Sequence, residues 1–325
     1  MGRYLVTGAA GFIASRVCEQ LLHEGHQVIG LDNFDPAYDL RLKEYRLAKI
    51  TSLPGFHFYR ESICNREALD AVFAAHKGID AVVNLAAKAG VRDSILDPWS
   101  YYDTNLTGTL NLLEQCRLNG ISKFLLASTS SIYGADAPYP TPEEADSSCP
   151  LQPYAASKKA AEALCHSYHY LYGLDISVVR YFTVYGPAGR PNMSMFRFAK
   201  WISEGMPVEV FGDGSQTRGF TYLDDIARGT ILALKPLGYE VINLGGHESI
   251  RILDLIAMFE KEIGKQAVIR HAPAHPADMQ ASWADIRKAQ RMLGWEPQVN
   301  LASGIHEMVA WYQKEHAWAS QVDTA

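Results

Sequence analysis

The sequence predicts an α/β protein built on a doubly wound parallel sheet, with a smaller mixed α/β unit attached. Three observations predict it. Short β-branched runs alternate with longer amphipathic stretches up to about Phe182. A glycine-rich turn joins the first of those runs to the first helical stretch. Beyond Phe182 the alternation gives way to turn signals such as Gly186-Pro187 and Gly212-Asp213-Gly214.

Six strands are expected at Tyr4–Val6, Gln27–Leu31, Phe56–Tyr59, Ala81–Val83, Phe124–Leu126 and Ile176–Val179. Most are continuously apolar, as a parallel sheet covered on both faces requires. Helical periodicity runs through Ser15–His23, Arg66–His76, Thr107–Arg117 and Ala155–Tyr172. In the second half, Tyr239–Leu244 reads as a strand that returns to the sheet, and Arg251–Ile263, Asp285–Leu293 and Leu301–Tyr312 read as helices.

A chain of 325 residues makes about two domains at roughly 150 residues each. With 48% hydrophobic and 20% charged residues it can bury a substantial core, so disorder is excluded as a whole-chain reading. A net charge of −6 argues against a nucleic-acid partner, whose binding rests on a basic surface. The five cysteines contain no Cys-x-x-Cys pair, which points to a reduced protein without a disulfide framework or a zinc site. The glycine-rich turn follows the N-terminus closely, so no secretory leader is expected, and no apolar run reaches membrane-spanning length. A cytoplasmic, soluble protein with no metal site is the expectation.

Gly8-Ala9-Ala10-Gly11-Phe12-Ile13-Ala14 opens the first helix straight from the first strand. Small residues here let the backbone approach a pyrophosphate at the positive helix end, as in a Rossmann dinucleotide site. Ala14 replaces the third glycine. Asp32 ends the second strand, where a carboxylate accepts hydrogen bonds from the adenosine ribose and repels the extra phosphate of NADP. NAD is therefore the expected cofactor, with Arg41 and Lys43 able to soften the preference.

Tyr154 and Lys158 form Tyr-x-x-x-Lys on one helix face. A phenol is a poor base at neutral pH. An ammonium about 4 Å away contributes roughly 4 kcal/mol at an effective dielectric of 20, or about three pKa units. Upstream, Ser128-Thr129-Ser130-Ser131 ends the fifth strand, where such sheets present ligand-binding groups.

With these residues in place the chain resembles the extended short-chain dehydrogenase/reductases, and among them the nucleotide-sugar 4-epimerases of the NAD-dependent epimerase/dehydratase group. The resemblance rests on Thr7–Ile13, Asn84–Ala87, Asn105–Thr109, Ser131–Gly134, Thr217–Asp225 and Leu293–Pro297. It implies Tyr154 as base, Lys158 as its electrostatic partner and ribose anchor, and Thr129 as the hydroxyl bridging the sugar 4-OH and the tyrosine. It implies cofactor contacts from Gly8, Gly11, Phe12 and Ile13, from Asp32 and Asn33, from Ser62 and Ile63, from Leu85, Ala86 and Ala87, and from Asn105. Arg190 and Arg218 resemble the cations facing a nucleotide diphosphate, and Asp278 the acid near a uridine ribose. The sequence departs from the family at Ala14, at Ser62 (usually aspartate), at Asn84 (usually histidine) and at Lys88 (usually uncharged).

Relatives that dehydrate or decarboxylate the 4-keto intermediate carry a carboxylate just after the Thr129 position; here Ser130 and Ser131 follow, which favours 4-epimerisation. Asp32–Asp39, Lys88–Arg92, Arg180–Pro187 and Gly189–Met193 look like the UDP-glucuronate 4-epimerases. Ser130, Ser131 and Thr183 would then hold the sugar carboxylate without a full counter-charge, with Lys88 and Arg92 as further substrate-side candidates. UDP-glucose, its N-acetyl relative, a decarboxylase, a net oxidoreductase and a silent NAD-binding regulator are the alternatives. The resemblance also implies a homodimer built on the helices around Thr107–Arg117 and Ala155–Tyr172. The expected division is an NAD-binding domain of residues 1–178 plus about 217–244, and a nucleotide-sugar domain of 179–216 and 245–325.

Overall fold

The structure is a computed structural model that describes residues 1–246, 248–273 and 280–324. The apolar runs form the strands β1 (Arg3–Thr7), β2 (Gln27–Leu31), β3 (Phe56–Tyr59), β4 (Ala81–Asn84), β5 (Lys123–Thr129) and β6 (Asp175–Tyr181). They pair in parallel, and a later strand, Tyr239–Leu244, adds to the edge beside β6. The order across the sheet is thus Tyr239–Leu244, β6, β5, β4, β1, β2, β3.

Alternate residues of each strand point to opposite faces, and both faces are buried. Leu5, Ile29, Val82, Phe124 and Ile176 enter one apolar cluster; Val6, Val28, Val83, Leu125 and Val179 enter another. A fully buried side chain of this kind contributes about 1.5–3 kcal/mol, so two covered faces explain the continuous apolar runs. The chain winds outward from β1 in both directions, which opens a crevice beyond the carboxyl ends of β1 and β4.

The helices among the described residues are α1 (Phe12–His23), α2 (Leu40–Thr51), α3 (Arg66–Ala75), α4 (Asp93–Leu96), α5 (Pro98–Tyr102), α6 (Gly108–Asn119) and α7 (Pro153–Tyr172), then α8 (Ser194–Ser203), α9 (Leu223–Leu232), α10 (Ile252–Ile263), α11 (Arg287–Leu293), α12 (Leu301–Lys314) and α13 (His316–Ala319). A π-helical turn at Asp103–Thr107 leads into α6. Apolar periodicity missed α2 because it buries Lys43 and Arg46 alongside Leu42 and Ile50, so its inward face is not an apolar stripe. Short strands fill the second half: Thr183–Tyr185 pairs with Phe220–Tyr222, Pro207–Phe211 with Val268–Ala272, and Thr217–Arg218 lies between Ile250–Arg251 and Ala281–Ser282. A third apolar cluster, with Phe196, Phe198, Phe259 and Tyr312, sits beneath them. Among the described residues no helix is long and apolar enough to cross a membrane.

Candidate active site

The glycine-rich turn is shaped by close backbone approach. Gly8 has a φ of 70°, and a Cβ on it would stand 3.0 Å from the Ala86 backbone. A Cβ on Gly11 would stand 2.7 Å from the Gly8 carbonyl oxygen. α1 then starts at Phe12 with no side chain capping its first amides, so its positive end is left for an anion. Ala14 is buried there, and its methyl is accommodated in the first turn of α1.

This turn forms one wall of a cavity of about 230 Å³. Gly8, Gly11, Phe12, Ile13, Asp32, Asn33, Ser62, Ile63, Leu85, Ala86, Ala87, Lys88, Tyr154, Lys158 and Arg190 all border it. The structure thus brings most of the expected residues into one crevice, although they come from six separate chain segments.

At one end Asp32 is buried and fully engaged. Its Oδ1 accepts from the Phe34 amide at 2.8 Å and pairs with Lys43 Nζ at 2.9 Å, and its Oδ2 accepts from the Ala10 amide at 3.2 Å. Arg41 is spent on Asp39 instead. Asn33 accepts the Asp35 amide, and Ser62 Oγ accepts the Cys64 amide, so both shape their own turns. Lys88 Nζ reaches across to Asp35 at 3.0 Å. Asp35, Tyr38, Lys43, Glu61 and Thr104 also border the cavity. Motif reading did not select them as site residues, because loop and α2 positions carry no fixed spacing to the glycine turn.

Asn105 is not among the residues that border the cavity. It lies behind the wall, where its amide clamps the Lys88 backbone at 3.0 Å in both directions and donates to Ser157 Oγ at 2.9 Å. Asn84, the departure from histidine, is wholly buried between Thr7 and Thr109 hydroxyls at 2.8 and 3.0 Å. It therefore ties β1, β4 and α6 together.

At the other end lie the chemical groups. Thr129 closes β5 and accepts the Ser131 amide, beginning a 3₁₀ turn over Ser130–Tyr133. Tyr154 and Lys158 come from the first two turns of α7. Burial pushes the Tyr154 phenol above its ordinary value; a hydrogen bond with Thr129 and the Arg190 guanidinium pull it back. Burial pushes Lys158 down to about 8, opposed by the charge of Glu162. The sequence leads one to expect the Lys158 ammonium, with the charge of an oxidised nicotinamide as a second contribution, to bring the phenol near neutrality; around this phenol burial outweighs the opposing effects, and Arg190 is the cation that pulls it back. Arg190 donates to the Ala89 carbonyl at 2.8 Å, while its buried Nε has no partner among the described residues.

The remaining substrate-side candidates spread out. Ser130, Ser131 and Thr183 are half-buried at the ends of β5 and of the strand after β6. Arg218 lies on the small Thr217–Arg218 strand, where it donates to the Thr217 carbonyl at 2.8 Å. Arg92 is exposed and stacks its guanidinium 4.4 Å from the Phe211 ring centre. Asp278 lies outside the described residues. His166 and His169 both pack on the Tyr239 ring, and no group of three metal-ligating side chains occurs among the described residues.

Residues 4–245 match the model of the NAD dependent epimerase/dehydratase family. The chain belongs to that family. It is 55% identical over 312 residues to the UDP-glucuronate 4-epimerase of Thermodesulfobacterium geofontis, covering 96% of each chain. Among solved structures it is similar to a UDP-glucuronic acid 4-epimerase from Bacillus cereus in complex with UDP-glucuronic acid and NAD (39% identity, TM-score 0.89, 96% of this chain and 99% of that one). A UDP-glucose 4-epimerase from Thermotoga maritima is 32% identical with a TM-score of 0.89, over 97% of this chain and 99% of that one. NAD is this family's cofactor, and the cradle fits it: glycine where a Cβ would collide, an uncapped helix end for the pyrophosphate, and a carboxylate-bearing pocket beyond it.

Proposed function

We propose that this protein catalyses the NAD-dependent 4-epimerisation of UDP-glucuronate to UDP-galacturonate. The observation that carries the reading is the meeting of Thr129, Tyr154, Lys158 and Arg190 at the end of the dinucleotide crevice, with the hydroxyls of Ser130 and Ser131 and not an acid following Thr129. The likeness to UDP-glucuronate 4-epimerases over nearly the whole chain supports the same substrate.

NAD, when bound, supplies reversible hydride acceptance at C4. The chain's own residues manage the proton. Tyr154 Oη, assisted by Thr129, accepts the proton of the sugar 4-hydroxyl and later returns it, so the base ends in its starting state. Arg190 favours the phenolate against its burial, and Lys158, one helix turn away, anchors the nicotinamide ribose. A 4-keto-5-carboxylate is a β-keto acid prone to lose CO₂. Ser130, Ser131 and Thr183 hold its carboxylate by neutral hydroxyls, and the absence of an acid after Thr129 denies that side reaction a proton.

Incubating the NAD-loaded protein with UDP-glucuronate, UDP-glucose or UDP-N-acetylglucosamine, and separating epimers by chromatography, tests the reading. UDP-galacturonate formed fastest is the expected result. A UDP-pentose would make it a decarboxylase, and steady NADH accumulation a net oxidoreductase.

We further infer a cytoplasmic homodimer joined through α6 and α7. Support comes from Leu110, Leu118, Tyr170 and Leu171, large apolar side chains exposed on those two helices. Leu110→Glu should turn a dimer into a monomer in sedimentation. We assign residues 1–178 with about 217–244 to cofactor binding, and 179–216 with 245–325 to the nucleotide sugar.

A further inference from the structure

Behind the reacting groups lies a buried carboxylate that the chemistry above does not use. Glu162 follows Tyr154 and Lys158 at four-residue spacing on α7, so all three share one helix face. Its Oε1 accepts from Ser128 Oγ at 2.5 Å and from Arg180 Nε at 3.0 Å, and its Oε2 accepts from Arg180 Nη2 at 2.8 Å. Ser128 and Arg180 stand opposite one another in register on β5 and β6, and Thr129 follows Ser128 directly. Arg180 Nη1 goes on to the Tyr133 hydroxyl at 2.9 Å and the Glu143 carbonyl at 3.0 Å, and Tyr133 donates to Asn243 at 2.6 Å. One carboxylate thereby ties the helix carrying the base, the strand end carrying Thr129 and the turn carrying Ser130 and Ser131.

A buried ion pair is a poor device for stability, since apolar residues of equal volume often do as well. A bidentate pair with a third hydrogen bond does fix orientation. We propose that Glu162 is a positioning residue of this reaction, holding the Tyr154–Lys158 face of α7 against the Ser128–Thr129 end of β5 and setting a negative charge toward Lys158. The proposal rests on the epimerase reading.

The charges around Lys158 give the sign. On its own helix the Glu162 carboxylate favours the ammonium, burial opposes it, and the buried Cys165 thiol stays neutral. From β6, Arg180 balances Glu162, and Lys159 Nζ stands 3.7 Å from the same carboxylate. Arg190 acts on Tyr154, and the Tyr101 ring of α5 packs edge-on against the Tyr154 ring. Removing the Glu162 charge withdraws one favourable partner and leaves Arg180 unbalanced. Both changes make Lys158 release its proton at lower pH.

The test compares Glu162→Gln, Glu162→Asp and Ser128→Ala, loaded with NAD and turning over UDP-glucuronate. Glu162→Gln should lower kcat on the order of 10- to 100-fold with KM little changed, because a small displacement of catalytic groups is that damaging. Its alkaline limb should move about one pH unit lower. Glu162→Asp, which keeps the charge, should return the limb to the wild-type position. Ser128→Ala breaks the link to Thr129 without stranding a charge, and should lower kcat about tenfold with the limb unmoved. NAD affinity measured by calorimetry across the same pH range should show the same Glu162→Gln displacement. If wild type epimerises no sugar nucleotide, the function assigned above fails, while the calorimetric profile still decides the charge on Lys158. An unmoved limb in Glu162→Gln, or, should that variant not fold, unchanged kcat in Ser128→Ala, would overturn the proposal.

Discussion

The Lys43 ammonium lies 2.9 Å from the Asp32 carboxylate, and both side chains are buried at the end of the dinucleotide crevice. Lys43 reaches Asp32 from α2, across the loop that follows β2. The carboxylate that resembles a selector for NAD is therefore partly neutralised before any ligand approaches, and its other contacts are the Phe34 and Ala10 amides.

Lys43→Met leaves Asp32 without its cation. Discrimination against NADP should then widen by about tenfold, because the bare carboxylate repels the extra phosphate more strongly. Titration calorimetry with both dinucleotides measures the ratio; an unchanged ratio means that Lys43 plays no part in selectivity. The same substitution should lower stability to urea by about 3–5 kcal/mol, the usual consequence of stranding one member of a buried pair.

Tyr154→Phe removes the base and leaves the cavity wall intact. Turnover should fall roughly 100- to 10,000-fold, while calorimetric affinity for UDP changes little. Activity within tenfold of wild type would mean that another group takes the proton.

Arg190 draws the Tyr154 phenol toward ionisation against the effect of burial. Removing its charge with Arg190→Met should raise the phenol further. The base must be ionised to accept a proton, so the acid limb of kcat should move to higher pH. The alkaline limb should stay in place, because Arg190 is not among the charges that act on Lys158. Movement of both limbs together would show a general disturbance of the site.

Glu114 couples α6 to α7 by accepting from Arg117 and from the Tyr168 hydroxyl. Hydrogen bonding from Arg117 first, then Tyr168, holds its carboxyl at about 2, below the ordinary 4.5. A depressed carboxylate stabilises the fold above its ordinary value and loses that contribution as pH falls through its folded value. Glu114→Gln should thus be less stable than wild type near neutrality, by less than about 1 kcal/mol because the pair is a third exposed. The gap should close between about pH 4.5 and about pH 2. Urea titrations across that range give the curve, and a gap independent of pH would remove the charge from the explanation.

Much of the nucleotide half was legible without coordinates. β2, β3 and Tyr239–Leu244 have the bounds that their apolar runs suggest, and β1, β4, β5 and β6 each extend those runs by one to four residues. The reason is local: a strand covered on both faces admits little but apolar residues. Gly8 was readable for a similar reason, since its φ of 70° and the Ala86 backbone 3.0 Å from its missing Cβ leave room for nothing else. The Tyr154–Lys158 pair was readable because helix geometry alone puts residues four apart on one face.

What only the tertiary structure decided is which charges meet. Lys43 and Arg41 are equivalent in the sequence, yet the docking of α2 sends one to Asp32 and the other to Asp39. Arg190 acts on Tyr154 because its loop folds over the cavity, whereas Arg92, a candidate for the sugar carboxylate, turns to the Phe211 ring. Asn105 sits in a recognisable motif but serves by clamping Lys88 and Ser157. Even the sign of the shift at Tyr154 was out of reach, because desolvation depends on every atom packed around the phenol. Periodicity and backbone sterics are properties of neighbours along the chain; Coulomb energies and burial are properties of neighbours in space.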